Sequence, residues 1–264
     1  HEVIAASRST GIDFRRMLTT DDWLPHLSGI DAVINCVGII GECGSKRFDV
    51  LHTHAPAALF RACEQAGVRR VLQISALGAD ASAFSPYHLS KKAADDCLRS
   101  LDLDWFVLRP SLIYGRGGGS AELFMRLAVL PMIPVIGDGQ QKLQPVHIGD
   151  VVATALRALI VPESRQTLDI VGKETIAFAE WLNKMREVQG SRPAPLLRVP
   201  FGIAMACARL GRYLHPILQP DNLRMLKAGY WADPAPVEKF LGRPLLCSAP
   251  PLFFADAATF GSAS

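Results

Sequence analysis

The sequence predicts an α/β protein, with a doubly wound parallel sheet followed by a smaller C-terminal lobe. Three observations carry that expectation. Short apolar runs alternate with helical patterns through the first two-thirds of the chain, which is the rhythm of βαβ units. The runs are nearly continuous, as in "DAVINCVG" and "DWFVLRPSLIYG", and this suits strands covered on both faces. Each run closes on small or polar residues, at the strand ends where the ligand crevice of such a sheet lies.

In chain order, "EVIAAS" (2–7) reads as a strand ending in Ser7, Arg8 and Ser9. "IDFRRML" reads as a brief strand, and "TTDDWLPHL" follows with good helix-start residues. "DAVINCVG" (31–38) is a strand, and "HTHAPAALFRACEQAG" (52–67) is a helix stopped by Gly67. "VRRVLQISALG" (68–78) is the next strand. The helix "SPYHLSKKAADDCLRSL" (85–101) has Ser85 as its N-cap and Pro86 at its first position. "DWFVLRPSLIYG" (104–115) is a strand running into a loop. Right-handed crossovers put the helices on both faces, a Rossmann-like arrangement over residues 1–115. From 116 the rhythm breaks, and 116–264 is expected to form a discontinuous lobe that caps the crevice. In it a Gly-rich stretch, "GRGGGS", enters a helix, a further helix starts near 148, and "QTLDIVG" is a late strand. "TIAFAEWLNKMREVQG" follows as an amphipathic helix, with strand and helix returning to the sheet.

Composition narrows the function classes. Lys and Arg number 28 against 25 Asp and Glu, and the net charge of +3 argues against a nucleic-acid binder. The basic excess lies late, with eight Lys and Arg against four acidic residues in 190–264. Six cysteines are scattered without metal-ligand spacing, so they are expected to be reduced, as in a cytoplasmic protein. No apolar run is long enough to span a bilayer. His147 and Asp150 in "QPVHIGDVV" lack a third ligand, and Asp150 suits a first-turn carboxylate, so no metal is expected. His52 and His54 open a helix and read as structural or exposed. The apolar helix in "FGIAMACARLGRYLHPIL" (201–218), with Arg209 and Arg212, fits a membrane surface, a partner or a lid over a substrate cleft. Nothing in the sequence fixes the oligomeric state.

The chemistry concentrates in "SPYHLSKKAAD". Tyr87 and Lys91 are four apart and share a helix face. A phenol with a pKa near 10 is a poor acid–base at neutral pH, and a neighbouring ammonium is expected to lower it. Ser75 closes the preceding strand and could hold a substrate oxygen beside Tyr87. The bland alternative is that YxxxK arises by chance at a helix start, and that Arg109–Pro110 only terminates a strand.

In that order, "INCVGII", the helix over 57–68, "ISALGA", "SPYHLSKKAAD", "LRPSLIYGRGG" and "LQPVHIGDVV" resemble the short-chain dehydrogenase/reductase superfamily. The resemblance is to its extended or atypical branch, which includes the nucleotide-binding accessory subunit of respiratory complex I and bacterial relatives. It covers residues 1 to about 160. It implies that Tyr87 is the acid/base, that Lys91 is its partner and a nicotinamide-ribose ligand, and that Ser75 orients a small-molecule substrate. Val37 and Gly38 would pass under the cofactor, and Pro110 and Ile113 would lie beside its nicotinamide. In dinucleotide folds an acidic residue after the second strand meets a ribose hydroxyl, whereas an Arg accommodates a 2′-phosphate. Ser7, Arg8 and Ser9 stand there, which favours NADP over NAD.

One feature departs from the family. The chain opens on His1, and no Gly-rich strand–turn–helix precedes "HEVIAASRS", which resembles the family's second strand. A unit of about two dozen residues is therefore expected upstream, and the chain as given is expected to hold a dinucleotide weakly. Three functions stay open: an NADP-linked oxidoreductase or epimerase-like enzyme, a non-catalytic nucleotide-binding protein that assists assembly or senses redox state, and a transcription-regulator-like sensor that uses the fold without turnover.

Overall fold

Local chemistry sets several helix limits of the first half as expected. The computed structural model describes residues 2–115, 119–211 and 219–247, so 116–118 of the Gly-rich stretch, 212–218 and 248–264 lie outside the description. Helix α1 (Thr20–Trp23) opens on a Thr19–Asp22 capping box. Strand β1 (Ala32–Asn35) is followed by a π-helical stretch, Asp49–His54, that runs into α2 (Ala55–Ala66). Gly67 ends α2 in the left-handed region at φ 77, which favours glycine. Strand β2 (Arg70–Ile74) leads to α3 (Pro86–Arg99), where the Ser85 hydroxyl accepts the His88 N–H at 3.1 Å and Pro86 takes the first helical position. Strand β3 (Asp104–Pro110) completes the series.

Beyond it come β4 (Ile113–Tyr114), α4 (Gly119–Ala128), β5 (Ile133–Ile136), β6 (Lys142–Leu143), β7 (Val146–His147) and α5 (Ile148–Ile160). Then follow β8 (Gln166–Ile170), β9 (Ile176–Ala177), α6 (Phe178–Val188), β10 (Leu196–Val199), α7 (Phe201–Gly211), α8 (Pro220–Ala228) and α9 (Ala235–Leu241). The main sheet has the order β1-β2-β3-β8, and β1, β2 and β3 pair in parallel. The fold is α/β with a Rossmann-like parallel sheet.

The chain divides into two compact units, 1–108 with 158–167, and 109–157 with 168–264. In the first, α2 lays Ala58, Leu59, Ala62 and Cys63 into a core with Val71 and Val107. Fully burying a side chain such as Phe60 or Phe106 stabilises by about 1.5–3 kcal/mol. In the second, β5 pairs with β10 and β4 with β7 in parallel, while β6 pairs antiparallel with β9. Trp181 and Met185 of α6 pack with Tyr114 and Ala128, and Leu182 packs with Ile133 and Val135.

Two expected strands do not form. Residues 2–6 lie outside any helix or strand, and Val3 and Ile4 are exposed. A strand exists only beside a partner, and β1 is paired on one side alone among the described residues. The chain turns instead at Ser7, whose N–H donates to the Thr10 hydroxyl at 2.8 Å, and Arg8–Thr10 form a 3-10 turn. "IDFRRML" is a turn as well, because the Asp13 carboxylate accepts the Arg15 N–H and leaves Phe14 to pack edge-on against Trp23. The 104–115 run breaks after Pro110, and β4 joins β7 rather than the main sheet.

Gly172 has no room for a side chain, since a Cβ there would lie 1.9 Å from the Pro145 carbonyl oxygen. Gly172→Ala is expected to destabilise by about 1–3 kcal/mol, read as a lower urea midpoint. An unchanged midpoint would show that this backbone yields freely.

Candidate functional site

Tyr87, Lys91 and Asp95 recur at one-turn intervals along α3, which brings them to one helix face. Lys91 is 4% exposed, and its ammonium donates to the Val37 carbonyl at 3.1 Å and to the Ile74 carbonyl at 3.0 Å. These carbonyls stand at the carboxyl ends of β1 and β2. A buried amide pair sets the first of them in place. Asn35 and Gln73 are register partners, the Asn35 Nδ2 donates to Gln73 Oε1 at 2.7 Å, and Asn35 Oδ1 accepts the Val37 N–H at 3.1 Å. Gly38 follows directly, and a Cβ there would meet Lys91 Nζ at 3.1 Å. The small residue thus makes room for the lysine head.

Asp95 is buried, and its Oδ2 accepts the Ser75 hydroxyl at 2.5 Å. Ser75 is itself only 4% exposed, so its proton points into the protein. Burial pushes the Lys91 ammonium down to about 8, against the charge of Asp95, which holds it up. The Tyr87 phenol is pushed up to about 12, first by burial and then by the Asp95 charge. The expected lowering of the phenol by Lys91 does not occur in the free protein. Desolvation penalises the phenolate, and two of the three ammonium protons are directed to main-chain carbonyls.

Aromatic rings enclose Tyr87: His88 at 5.2 Å, His52 at 5.6 Å and Phe48 at 6.0 Å between centroids. His52 was expected to be structural or exposed, and it is fully buried. Its Nε2 accepts the Ile39 N–H at 2.9 Å, which leaves the ring proton on Nδ1 to donate to Ser90 Oγ at 3.0 Å. Ser90 Oγ in turn donates to the Tyr87 carbonyl at 2.8 Å. Burial, with the Lys91 charge, holds the His52 pKa down to about 3. Asn35 and Asp95 also line the candidate site, and the motif reading passed over them. A lone amide in an apolar strand and an acid one turn after a lysine were the available signals.

The other predicted residues are more dispersed. Ser7 and Ser9 hydrogen-bond through their hydroxyls at 2.7 Å, while Arg8 is exposed and its guanidinium has no partner among the described residues. Pro110 and Ile113 belong to the second unit. Arg109 forms a two-pronged ion pair with Asp169, at 2.6 and 3.0 Å. Asp150 sits in the first turn of α5, where it pairs with Arg243 at 2.8 Å and accepts the Leu246 N–H. Among the described residues no group of three metal-ligating side chains forms.

Residues 6–126 match the NAD(P)H-binding family. With the parallel sheet, this agrees with a Rossmann-like fold over that part of the chain. Similar curated proteins include ceramide reductase of Caulobacter vibrioides (strain NA1000 / CB15N), 27% identical over 65% of this chain and 54% of that protein. Another is the mitochondrial NADH dehydrogenase [ubiquinone] 1 alpha subcomplex subunit 9 of Arabidopsis thaliana, 29% identical over 67% of this chain and 45% of that one. The chain thus spans about half the length of the curated relatives it matches. In fold it is similar to UDP-glucuronic acid 4-epimerase from Bacillus cereus in complex with NAD, at a TM-score of 0.69 and 17% identity, over 94% of this chain and 78% of that one.

His52 couples the site to pH. Its pKa is near 6.5 unfolded and about 3 folded, so its stabilisation is complete above about 6.5 and is lost as pH falls toward 3. On the order of 4 kcal/mol disappears across that window. His52→Gln is expected to be less stable than wild type at neutral pH, with the gap closing as pH falls toward about 4. Urea unfolding across the pH series checks this, and a constant gap would refute it.

Proposed function

We propose that the chain is the NADP(H)-binding part of an oxidoreductase or epimerase-like enzyme that acts on a carbonyl or alcohol, with Tyr87 as its acid/base. The observation that carries this reading is the Tyr87 hydroxyl, which has no partner among the described residues and stands one turn from an anchored ammonium. Bound dinucleotide supplies hydride chemistry, and the proton is the protein's task. At neutral pH the pair is phenol plus ammonium, so Tyr87 donates to a carbonyl oxygen. Lys91 retains one N–H for a ribose hydroxyl, since an ammonium has three and two are engaged. Val37 and Gly38 offer a main chain without bulk beside it. Ser75 serves by anchoring Asp95. Arg8 is exposed after Ser7 and suits a 2′-phosphate, which favours NADP over NAD.

The second reading is a non-catalytic NADP(H)-binding assembly factor or redox sensor. Similarity to a respiratory-complex subunit supports it, as does a phenol whose pKa is far above neutral. Turnover separates the two. In a screen of carbonyl and alcohol substrates, Tyr87→Phe is expected to lower turnover by about 10²–10⁴-fold while leaving the NADPH dissociation constant unchanged. NADPH binding without turnover of any substrate by wild type would favour the second reading.

Arg8→Ala is expected to weaken NADPH binding by about 1.5–3 kcal/mol and to spare NADH. Titration of both cofactors checks it. Equal weakening would remove Arg8 from the 2′-phosphate role.

A further inference from the structure

Helix α7 is apolar on two faces. Met205 and Ala208 are buried, as expected for a helix packed on its unit. The opposite face carries Ile203, Ala206, Cys207 and Leu210, spaced as i, i+3, i+4 and i+7, and all four are exposed. Ile203 is 56% exposed and Leu210 74%. Leu197 of the preceding strand β10 is 44% exposed. An ordinary surface helix puts polar residues on that face.

Charge around the stripe is mostly basic, and the Asp221 carboxylate at the start of α8 is paired with Arg224 at 2.9 Å. From Ser191 to Pro220 the sequence holds four arginines, Arg192, Arg198, Arg209 and Arg212, and no acidic residue. Arg198 and Arg209 are exposed, and Arg212 lies outside the described residues. Lys227 of α8 is exposed, and its ammonium stands over the Phe201 ring at 4.5 Å from the centroid. Among the described residues no helix is long and apolar enough to cross a membrane. An apolar stripe with mainly basic flanks fits the interface of an anionic bilayer, where apolar side chains enter the acyl boundary and cations meet headgroup phosphates. A protein partner would need its own acidic and apolar counterpart, whereas an anionic lipid surface supplies both.

We infer that the outer face of α7 docks on an anionic lipid surface through Ile203, Cys207 and Leu210, steered by Arg198, Arg209 and Lys227. This does not rest on the nucleotide reading. The test is co-sedimentation of the full chain with phosphatidylglycerol-containing vesicles and with pure phosphatidylcholine vesicles. Partition into the anionic vesicles is expected to exceed the neutral ones by about tenfold or more, and to fall at about half-molar salt. Ile203→Asp with Leu210→Asp should cut it by at least about tenfold, and Arg198→Gln with Arg209→Gln should lower it at low salt only. Both pairs alter exposed side chains, and unchanged urea midpoints would show that they fold normally. No binding to anionic vesicles, or equal binding by the double-Asp variant, would overturn the inference. So would equal binding to both lipids. A concentration-dependent dimer lost in the double-Asp variant, without vesicle binding, would assign the stripe to a second copy instead and overturn the inference.

Discussion

The Lys91 ammonium joins the ends of two parallel strands to the helix that crosses between them and β3. It bonds the carbonyl of Val37 beyond β1 and that of Ile74 at the end of β2. An ammonium out of water is costly, and it is tolerated only where fixed dipoles and a counter-charge replace its hydration. Two carbonyls and the nearby Asp95 carboxylate do this. The strands need the lysine in return, because β1 is held in its ladder by β2 alone among the described residues. The Asn35–Gln73 pair works in the same direction, tying β1 to β2 through side chains as well as main chain.

This arrangement fixes the protonation of the site. Burial alone would favour a neutral lysine, and the Asp95 charge counters it, so the group remains an ammonium at neutral pH. The same carboxylate disfavours a phenolate at Tyr87. Next to them His52 stays neutral, because burial penalises its charged form and a second positive charge beside Lys91 is unfavourable. The resting site therefore holds one cation and a proton on the phenol.

Much of this was legible in the sequence where the cause is local. Ser85, Pro86 and Gly67 act on their own neighbours, so helix limits could be read from them. Lys91 and Tyr87 were found from helical spacing, which needs no tertiary knowledge. What failed was whatever depends on a distant partner. "EVIAAS" has strand composition, yet a strand is a relation between two segments, and residues 2–6 have no ladder here. The phenol's direction of shift was misjudged because spacing shows that an ammonium is near but not that the phenol is buried with the Asp95 charge close by. Asp95 is one of two adjacent acids in the helix sequence, and only the fold turns it inward to Ser75, twenty residues earlier.

Ser75 shows how a motif residue can keep its place and change its task. Its main-chain N–H continues the sheet by donating to the Leu108 carbonyl at 2.7 Å, which carries the β2–β3 pairing past the end of β2. Its side chain then secures Asp95 by a charge-assisted hydrogen bond. The hydroxyl is thus one link away from Lys91, whose ammonium the Asp95 charge holds up. Acid–base character at Tyr87 is a property of four side chains on β2's end and α3, and no two of them taken from the motif alone would define it.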